Sequence, residues 1–358
     1  MTEQLINLLK SMISTPSVSG DEKAVCDLLE QFLADQGLTV HRRTNNLWME
    51  SEPASASKPT ILLNAHIDTV KPANGYTRDP FTPHQDGDII YGLGSNDDGA
   101  SVIATLAAFL SLTTNAKPLP IEGEMPEGQR GSSRLVWTAT AEEENSGPNG
   151  IELILSDIGP VELGIFGEPT CMQMAVAEKG LLVLDCYAHG KAGHAARNEG
   201  ENALYKALDD INWIRNHHFE RVSDFLGEVK MTVTMMDCGT QHNVVPDTCH
   251  FVVDIRTNGL YTNEEVLQII RSHTKSEIKP RSLRHESSSI STEHPIVQRA
   301  KTMGIKPFGS PTMSNQSLVT FPSVKIGPGD SARSHTADEY IKLSEIEEAI
   351  NIYTKLLI

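Results

Sequence analysis

The sequence predicts an α/β protein in which a mixed-sheet first domain is interrupted by an inserted ferredoxin-like α+β domain. Three observations carry this prediction. Four times along the chain an apolar run or glycine turn ends in acidic or imidazole groups, at His66, Asp97, Glu143-Glu144 and Glu168, and in open α/β sheets that edge is where ligands bind. After Met174 the order of elements becomes βαββαβ, which describes a ferredoxin-like unit. From His294 onward helical and strand patterns of the first kind return. The expected domains are residues 1–174 and 286–358 for the first, and 175–285 for the insertion.

The elements follow in order. Ser19-Gly20-Asp21-Glu22 has the form of a capping box, and Val25, Leu28, Leu29, Phe32 and Leu33 recur at helical spacing up to Gly37. Residues 39–43 and 47–50, joined by Asn45-Asn46, read as a hairpin. A buried strand over 60–66 delivers His66, and Asp68 lies two positions on, so both face one side if the strand continues. Residues 71–88 read as a loop, and Tyr91-Gly92-Leu93-Gly94 leads into Ser95-Asn96-Asp97-Asp98-Gly99. A small-residue apolar helix over 102–112 comes next, and then an irregular excursion over 114–133, rich in Pro and Gly. Strands are expected at 134–140, ending in Glu142-Glu143-Glu144, and at 163–166, ending in Gly167-Glu168-Pro169.

In the insertion, strands are expected at 180–187, 228–235, 250–256 and around 276–283, with helices at 202–215 and 263–273. His294-Pro295 opens a helix, and a strand over 323–326 runs into Gly327-Pro328-Gly329-Asp330, with His335 just beyond. Ser344-Glu345-Ile346-Glu347 forms a second capping box for a last helix that buries Ile346, Ile350, Tyr353 and Leu357.

Composition bounds the function. With 358 residues and 39% apolar content the chain can bury a large core. A net charge of −17 argues against nucleic acid or an anionic membrane as partner. No run approaches the roughly 18 apolar residues of a membrane span, and Met1-Thr2-Glu3-Gln4-Leu5 lacks the features of a signal peptide, so a cytoplasmic protein is expected. Cys26, Cys171, Cys186, Cys238 and Cys249 lack zinc-type pairing and read as reduced thiols, mostly in the core, none of them the candidate catalytic nucleophile.

The candidate metal ligands are His66, Asp97, Glu144, Glu168 and His335. Mixed imidazoles and carboxylates suit zinc or a similar first-row ion, whereas magnesium or calcium favours oxygen ligands alone. Five groups can hold two ions about 3.5–4 Å apart if one carboxylate bridges, and Asp97 in its glycine-flanked turn is the expected bridge. Asp68 is placed to orient His66 as an outer partner of the ligand. Glu143, adjacent to a ligand but too close along the backbone to share its ion, is the candidate general base. Taken singly, each has an ordinary reading: a strand end, a turn, a solvated acidic stretch, a surface histidine. Their joint occurrence in one order outweighs those readings.

That order, His66-x-Asp68, Gly94-x-x-Asp97, Glu143-Glu144, Gly167-Glu168-Pro169 and a distant His335, resembles the M20 family of dinuclear zinc aminoacylases and exopeptidases, over nearly the whole chain. Gly167-Glu168-Pro169-Thr170 and Gly327-Pro328-Gly329-Asp330-Ser331 with His335-Thr336 look most like acetylornithine deacetylases and their relatives. The resemblance implies a zinc-exopeptidase-type catalytic domain and two Zn2+ per chain, with Co2+ as a possible substitute. It implies that His66 and Glu168 hold one ion, that Glu144 and His335 hold the other, and that Asp97 bridges. It further implies that the insertion serves as lid and dimerisation domain of a homodimer, with His194 crossing to the partner's site to steady the oxyanion, and substrate contacts at Asn243 and Arg256. Arg256 has a second reading as a partner of Asp254.

Two departures bear on specificity. Asp97-Asp98-Gly99-Ala100 stands where the commoner deacetylase sequence has Asp-Met-Lys-Gly, and Ser314-Asn315 stands where relatives often carry Ser-Asp, placing Asn315 in a presumed substrate-recognition loop. The expected activity is deacylation of an N-acyl amino acid, N-acetyl- or N-succinyl-ornithine or citrulline, in arginine biosynthesis. The rivals are a di- or tripeptidase, a succinyl-diaminopimelate desuccinylase-like enzyme, and a non-catalytic binding relative.

Overall fold

A computed structural model of the chain describes residues 3–54, 58–113 and 133–358. The excursion expected over 114–133 lies outside the described residues, apart from Ser133. The chain divides into two compact units, one of residues 1–176, 290–308 and 314–358, the other of residues 177–289 and 309–313. The return of Gly309–Met313 to the second unit is a crossing that local pattern does not reveal.

The first unit is built on a mixed sheet. Its centre is Thr60–His66, paired in parallel with Arg134–Thr140 on one side and Leu163–Phe166 on the other. Ser323–Lys325 extends it in parallel from Leu163–Phe166, and an antiparallel hairpin, His41–Arg43 with Asn46–Glu50, closes the opposite edge. Near-continuous apolar runs such as Ile61-Leu62-Leu63 suit strands covered on both faces. Alternation then sorts the residues: Leu63, Ala65, Trp137 and Ile165 join the main core, while Leu62, Val136 and Phe166 pack with Ile151, Ile154 and Ile158 on the other face.

Helix Ala100–Thr113 lies in the main core with all but its last turn almost wholly buried, and packs on the last helix, Leu343–Leu357, and on the central strand. Trp137 Nε1 donates to Thr105 Oγ1 at 3.1 Å, which satisfies the one polar atom of a fully buried indole.

Several local expectations need correction. Ser19 caps no helix: its hydroxyl donates to Asp68 Oδ2 at 2.7 Å, and the helix Lys23–Asp35 starts after Glu22, whose buried carboxylate accepts from the Gly20 and Asn45 nitrogens. Ser344 likewise lies inside its helix and donates to Asp88 Oδ2 at 2.6 Å, while Glu345 reaches back to the Lys342 N–H at 3.1 Å. The hydroxyls expected to cap had stronger acceptors waiting on distant segments. In the last helix Leu356 is buried and Leu357 only partly so. Residues 71–88 are not all loop, because His84–Asp86 pairs with Ile89–Tyr91, which also pairs with Tyr340–Lys342. Helices Glu3–Ile13 and Glu152–Ile158 and strand Met174–Glu178 add to the expected set.

The second unit has the expected βαββαβ order, with sheet order Lys230–Cys238, Thr248–Arg256, Leu182–His189, Glu277–Pro280, all antiparallel. Asn202 caps helix Ala203–Asn216 by accepting from Leu204 N at 2.9 Å, and Thr262 with Glu265 forms a true capping box for Asn263–His273. On the open face Asp185 accepts from Arg281 Nε at 2.8 Å and His250 Nε2 at 2.9 Å. The Arg281 hydrogen bond, ahead of that from His250, holds the Asp185 carboxyl down at about 2.

A carboxyl whose folded pKa is depressed adds stability above its unfolded pKa and loses it as pH falls through the folded one. Wild type should therefore resist urea better than Asp185→Asn near neutral pH, with the gap narrowing below about pH 4 and vanishing near the folded value of about 2. A gap of constant size across that range would refute the assignment.

Candidate metal centre

The central strand ends at His66 because the chain leaves the ladder there: Ile67 N donates to the Thr140 carbonyl at 2.8 Å, and Thr69 N to the Ser17 carbonyl at 2.9 Å. His66 is buried. Its Nδ1 faces the Asp68 backbone carbonyl at 2.9 Å, so that nitrogen must carry the proton and Nε2 is left free to accept or ligate. Nε2 lies 3.2 Å from Asp97 Oδ1 and 4.0 Å from Glu168 Oε1.

The Asp68 carboxylate also stands beside the ring, 3.4 Å from Nδ1, a little farther than its own carbonyl oxygen. It further accepts from Ser19 Oγ and from the backbone N–H groups of Glu143 and Glu144, each of these two at 3.0 Å. Asp68 thus flanks the ring with both its main chain and its carboxylate, and pins the Glu143-Glu144 turn with that same side chain.

The turn carrying Asp97 depends on glycine. Gly94 has φ +75°, and a Cβ there would stand 2.7 Å from Thr69 Cγ2, while a Cβ on Gly99 would stand 2.5 Å from the Gly94 carbonyl oxygen. Into this turn comes Glu339, which is buried and accepts from the N–H groups of Gly94 at 3.1 Å, Asn96 at 2.8 Å and Asp97 at 2.9 Å. Asp98, also buried, accepts from the His66 N–H at 3.3 Å. Neither residue was among the sequence candidates. Glu339 lies four positions beyond His335, and nothing in Ala337-Asp338-Glu339 marks it as the clamp of a loop more than two hundred residues earlier.

Asp97 presents its two oxygens to two imidazoles. Oδ1 faces His66 and Oδ2 stands 3.7 Å from His335 Nε2, which in turn lies 3.0 Å from Glu144. His66, Asp97 and Glu144 offer donor atoms within 4.8 Å of one another, and so do His66, Glu143 and Glu168. His335, at φ +59°, reaches this cluster from a loop in a conformation uncommon for a residue with a Cβ. All five proposed ligands therefore meet at the C-terminal edge of the parallel strands, across 270 positions of sequence.

So many acids in one place repel. Burial, followed by the charge of Asp97, pushes Glu168 up to about 8, and the same two causes raise Glu339 to about 8. Burial, followed by Glu168, raises Glu143 well above the carboxylate range. His335 is held up to about 9, chiefly by its hydrogen bond to Glu144. Two imidazoles and a surplus of carboxylates, one with its oxygens turned to opposite halves, is a donor set that fits a pair of first-row cations, which would offset this repulsion.

Asn315 is buried, and its Nδ2 donates to Thr140 Oγ1 at 3.2 Å and Asn64 Oδ1 at 3.3 Å. Its amide ties a loop to two strand ends, which corrects its expected role as a substrate contact. In the second unit, His194 is exposed on a two-residue strand, Gly193–His194, paired with Val244–Val245, and the Ala195 N–H donates to the Asn243 carbonyl at 3.0 Å. His194 and Asn243 are therefore neighbours. Arg256 forms two parallel hydrogen bonds to Asp254, at 2.9 and 3.1 Å, so its fork is engaged as its second reading proposed.

Comparison with known proteins bears on the family and the fold. Residues 176–282 match the peptidase dimerisation domain model of the M20 family. An M20 domain-containing peptidase of Schizosaccharomyces pombe is 27% identical, with 99% of this chain and 84% of that protein aligned. A succinyl-diaminopimelate desuccinylase of Rickettsia bellii is 26% identical over 99% of this chain and 95% of its own. Among solved structures, aminopeptidase PepT from Bacillus cereus shares the fold with a TM-score of 0.76 at 17% identity, covering 99% of this chain and 97% of that one. No described helix is long and apolar enough to cross a membrane. The matched dimerisation domain, relatives aligned over nearly the whole chain, and a sheet edge that gathers imidazoles and carboxylates lead to one conclusion: the chain is similar, along nearly its whole length, to the metal-dependent hydrolases of the M20 group.

Proposed function

We propose that this enzyme hydrolyses the amide bond of an N-acyl-L-amino acid at a two-metal centre, with an acetyl or succinyl group on ornithine or citrulline as the leading substrates and arginine biosynthesis as the setting. The observation that carries the two-metal reading is the placement of the Asp97 oxygens toward His66 on one side and His335 on the other. Zinc is the proposed metal, with cobalt as a functional substitute, held by His66 and Glu168 in one half and Glu144 and His335 in the other. When bound, such ions supply Lewis acidity and a more acidic water.

The protein's own groups do the rest. Glu143, held at its N–H by Asp68, keeps part of its side chain exposed and has a raised proton affinity, which suits a group that takes a proton from the attacking water and hands it to the departing nitrogen. His194 is proposed to steady the oxyanion in the partner's site of a homodimer, and Asn243 beside it to touch substrate. A carboxylate-binding role for Arg256 would require it to share or release Asp254.

A peptidase is the second reading, favoured by the aminopeptidase named among the structural relatives. The test is turnover by protein loaded with zinc or cobalt on acetyl and succinyl derivatives of ornithine, citrulline, lysine and diaminopimelate, beside simple di- and tripeptides. Higher kcat/KM on an acylated ornithine or citrulline is expected. Strong preference for peptides would replace the deacylase reading, and preference for succinyl-diaminopimelate would move the pathway. No turnover of any would favour a binding relative.

A further inference from the structure

The second unit holds a pair of cysteines that the proposed reaction does not use. Cys238 ends one strand of the antiparallel ladder and Cys249 lies directly opposite, at the last rung before the loop 239–247. Residues facing each other in such a ladder have Cα atoms about 4.5 or 5.5 Å apart and side chains on one face. Both separations fall within the roughly 4.4–6.8 Å that a disulfide spans. Cys186 lies on the neighbouring strand opposite Phe251, so it is only a diagonal neighbour of Cys249, whose direct partner there is Ala188.

The two thiols differ in access. Cys249 is fully buried, whereas Cys238 keeps part of its surface and sets its Sγ 3.5 Å from the Thr248 carbonyl. Burial first, and the Cys238 thiol second, push the Cys249 thiol up to about 12, so it stays protonated and inert in the reduced protein. The loop they would close carries Asn243, and its Val244–Val245 strand pairs with Gly193–His194.

We propose that Cys238 and Cys249 form a reversible intrachain disulfide that clamps the loop 239–247 when low-molecular-weight disulfides accumulate. The Cys238 thiolate attacks one sulfur of the small disulfide and expels one thiolate, leaving a mixed disulfide on Cys238. The Cys249 sulfur, losing its proton, attacks the Cys238 sulfur and expels the second small thiol. Two protein thiols are oxidised, one small disulfide is reduced to two thiols, and the two protons pass to the leaving thiolates. A link of this kind, formed and reversed by small thiols, is of the transient sort found in reducing compartments.

The test uses the full chain with Cys171→Ser, which removes the exposed competing thiol. After exposure to oxidised glutathione, peptide mass analysis should find residues 238 and 249 joined with the loss of two hydrogens, reversed by dithiothreitol. Amide exchange across Gln241–Val245 should slow in the oxidised form. Cys249→Ala should instead trap glutathione on Cys238. Absence of the 238–249 link, a link from Cys249 to Cys186, or loop exchange unchanged by oxidation would each overturn the proposal.

Discussion

Glu143→Gln is expected to lower turnover by about 10²–10⁴-fold, the usual contribution of a positioned acid–base group, while metal content stays near two ions per chain. The separation of effects follows from geometry. The Glu143 main chain is held by Asp68, and a glutamine keeps that N–H bond and much the same volume. What it loses is the ability to take and return a proton. Retained turnover would remove Glu143 from the base role, and loss of metal in step with activity would make it a ligand instead. The latter outcome has a concrete basis, because Glu143 lies within ligand distance of His66 and Glu168. Mixing this variant with His194→Ala should recover part of the activity if each site borrows His194 from its partner. No recovery would place His194 outside the shared site.

Asp97→Ala should have the second large effect, on metal content and turnover together. Removing an outer partner of a ligand typically costs about 10–100-fold in metal affinity. Asp97 faces both imidazoles, so its loss should exceed that range and take bound metal from two ions toward one or none. Thermal unfolding gives a separate readout, since ions that bind only the folded chain raise its melting temperature. Wild type should melt higher with zinc than with a chelator present, and Asp97→Ala should show little of that difference. A variant that kept two ions and the full zinc-dependent shift would end the bridging role.

Much of the fold was legible because its strands are covered on both faces. Such strands read as continuous apolar runs, and Thr60–His66, Arg134–Thr140 and Leu163–Phe166 match the expected spans residue for residue. Helix Asn263–His273 was legible for another reason, the local chemistry of its Thr262 and Glu265 cap. The errors share a cause too. Ser19 and Ser344 were each assigned a neighbour in sequence, and each found a better partner far away: Asp68 for Ser19 and Asp88 for Ser344.

The site divides along the same line. The residue types able to hold two cations, and the order in which the chain supplies them, were decided by the amino-acid sequence, because strand ends and glycine turns are local and deliver their side chains wherever the sheet goes. Which oxygen of Asp97 meets which imidazole, how Glu339 clamps the turn that presents it, and why Asn315 and Arg256 are already engaged were decided only in the tertiary structure. Those are long-range hydrogen bonds and ion contacts, and their partners are set by packing rather than by spacing along the chain.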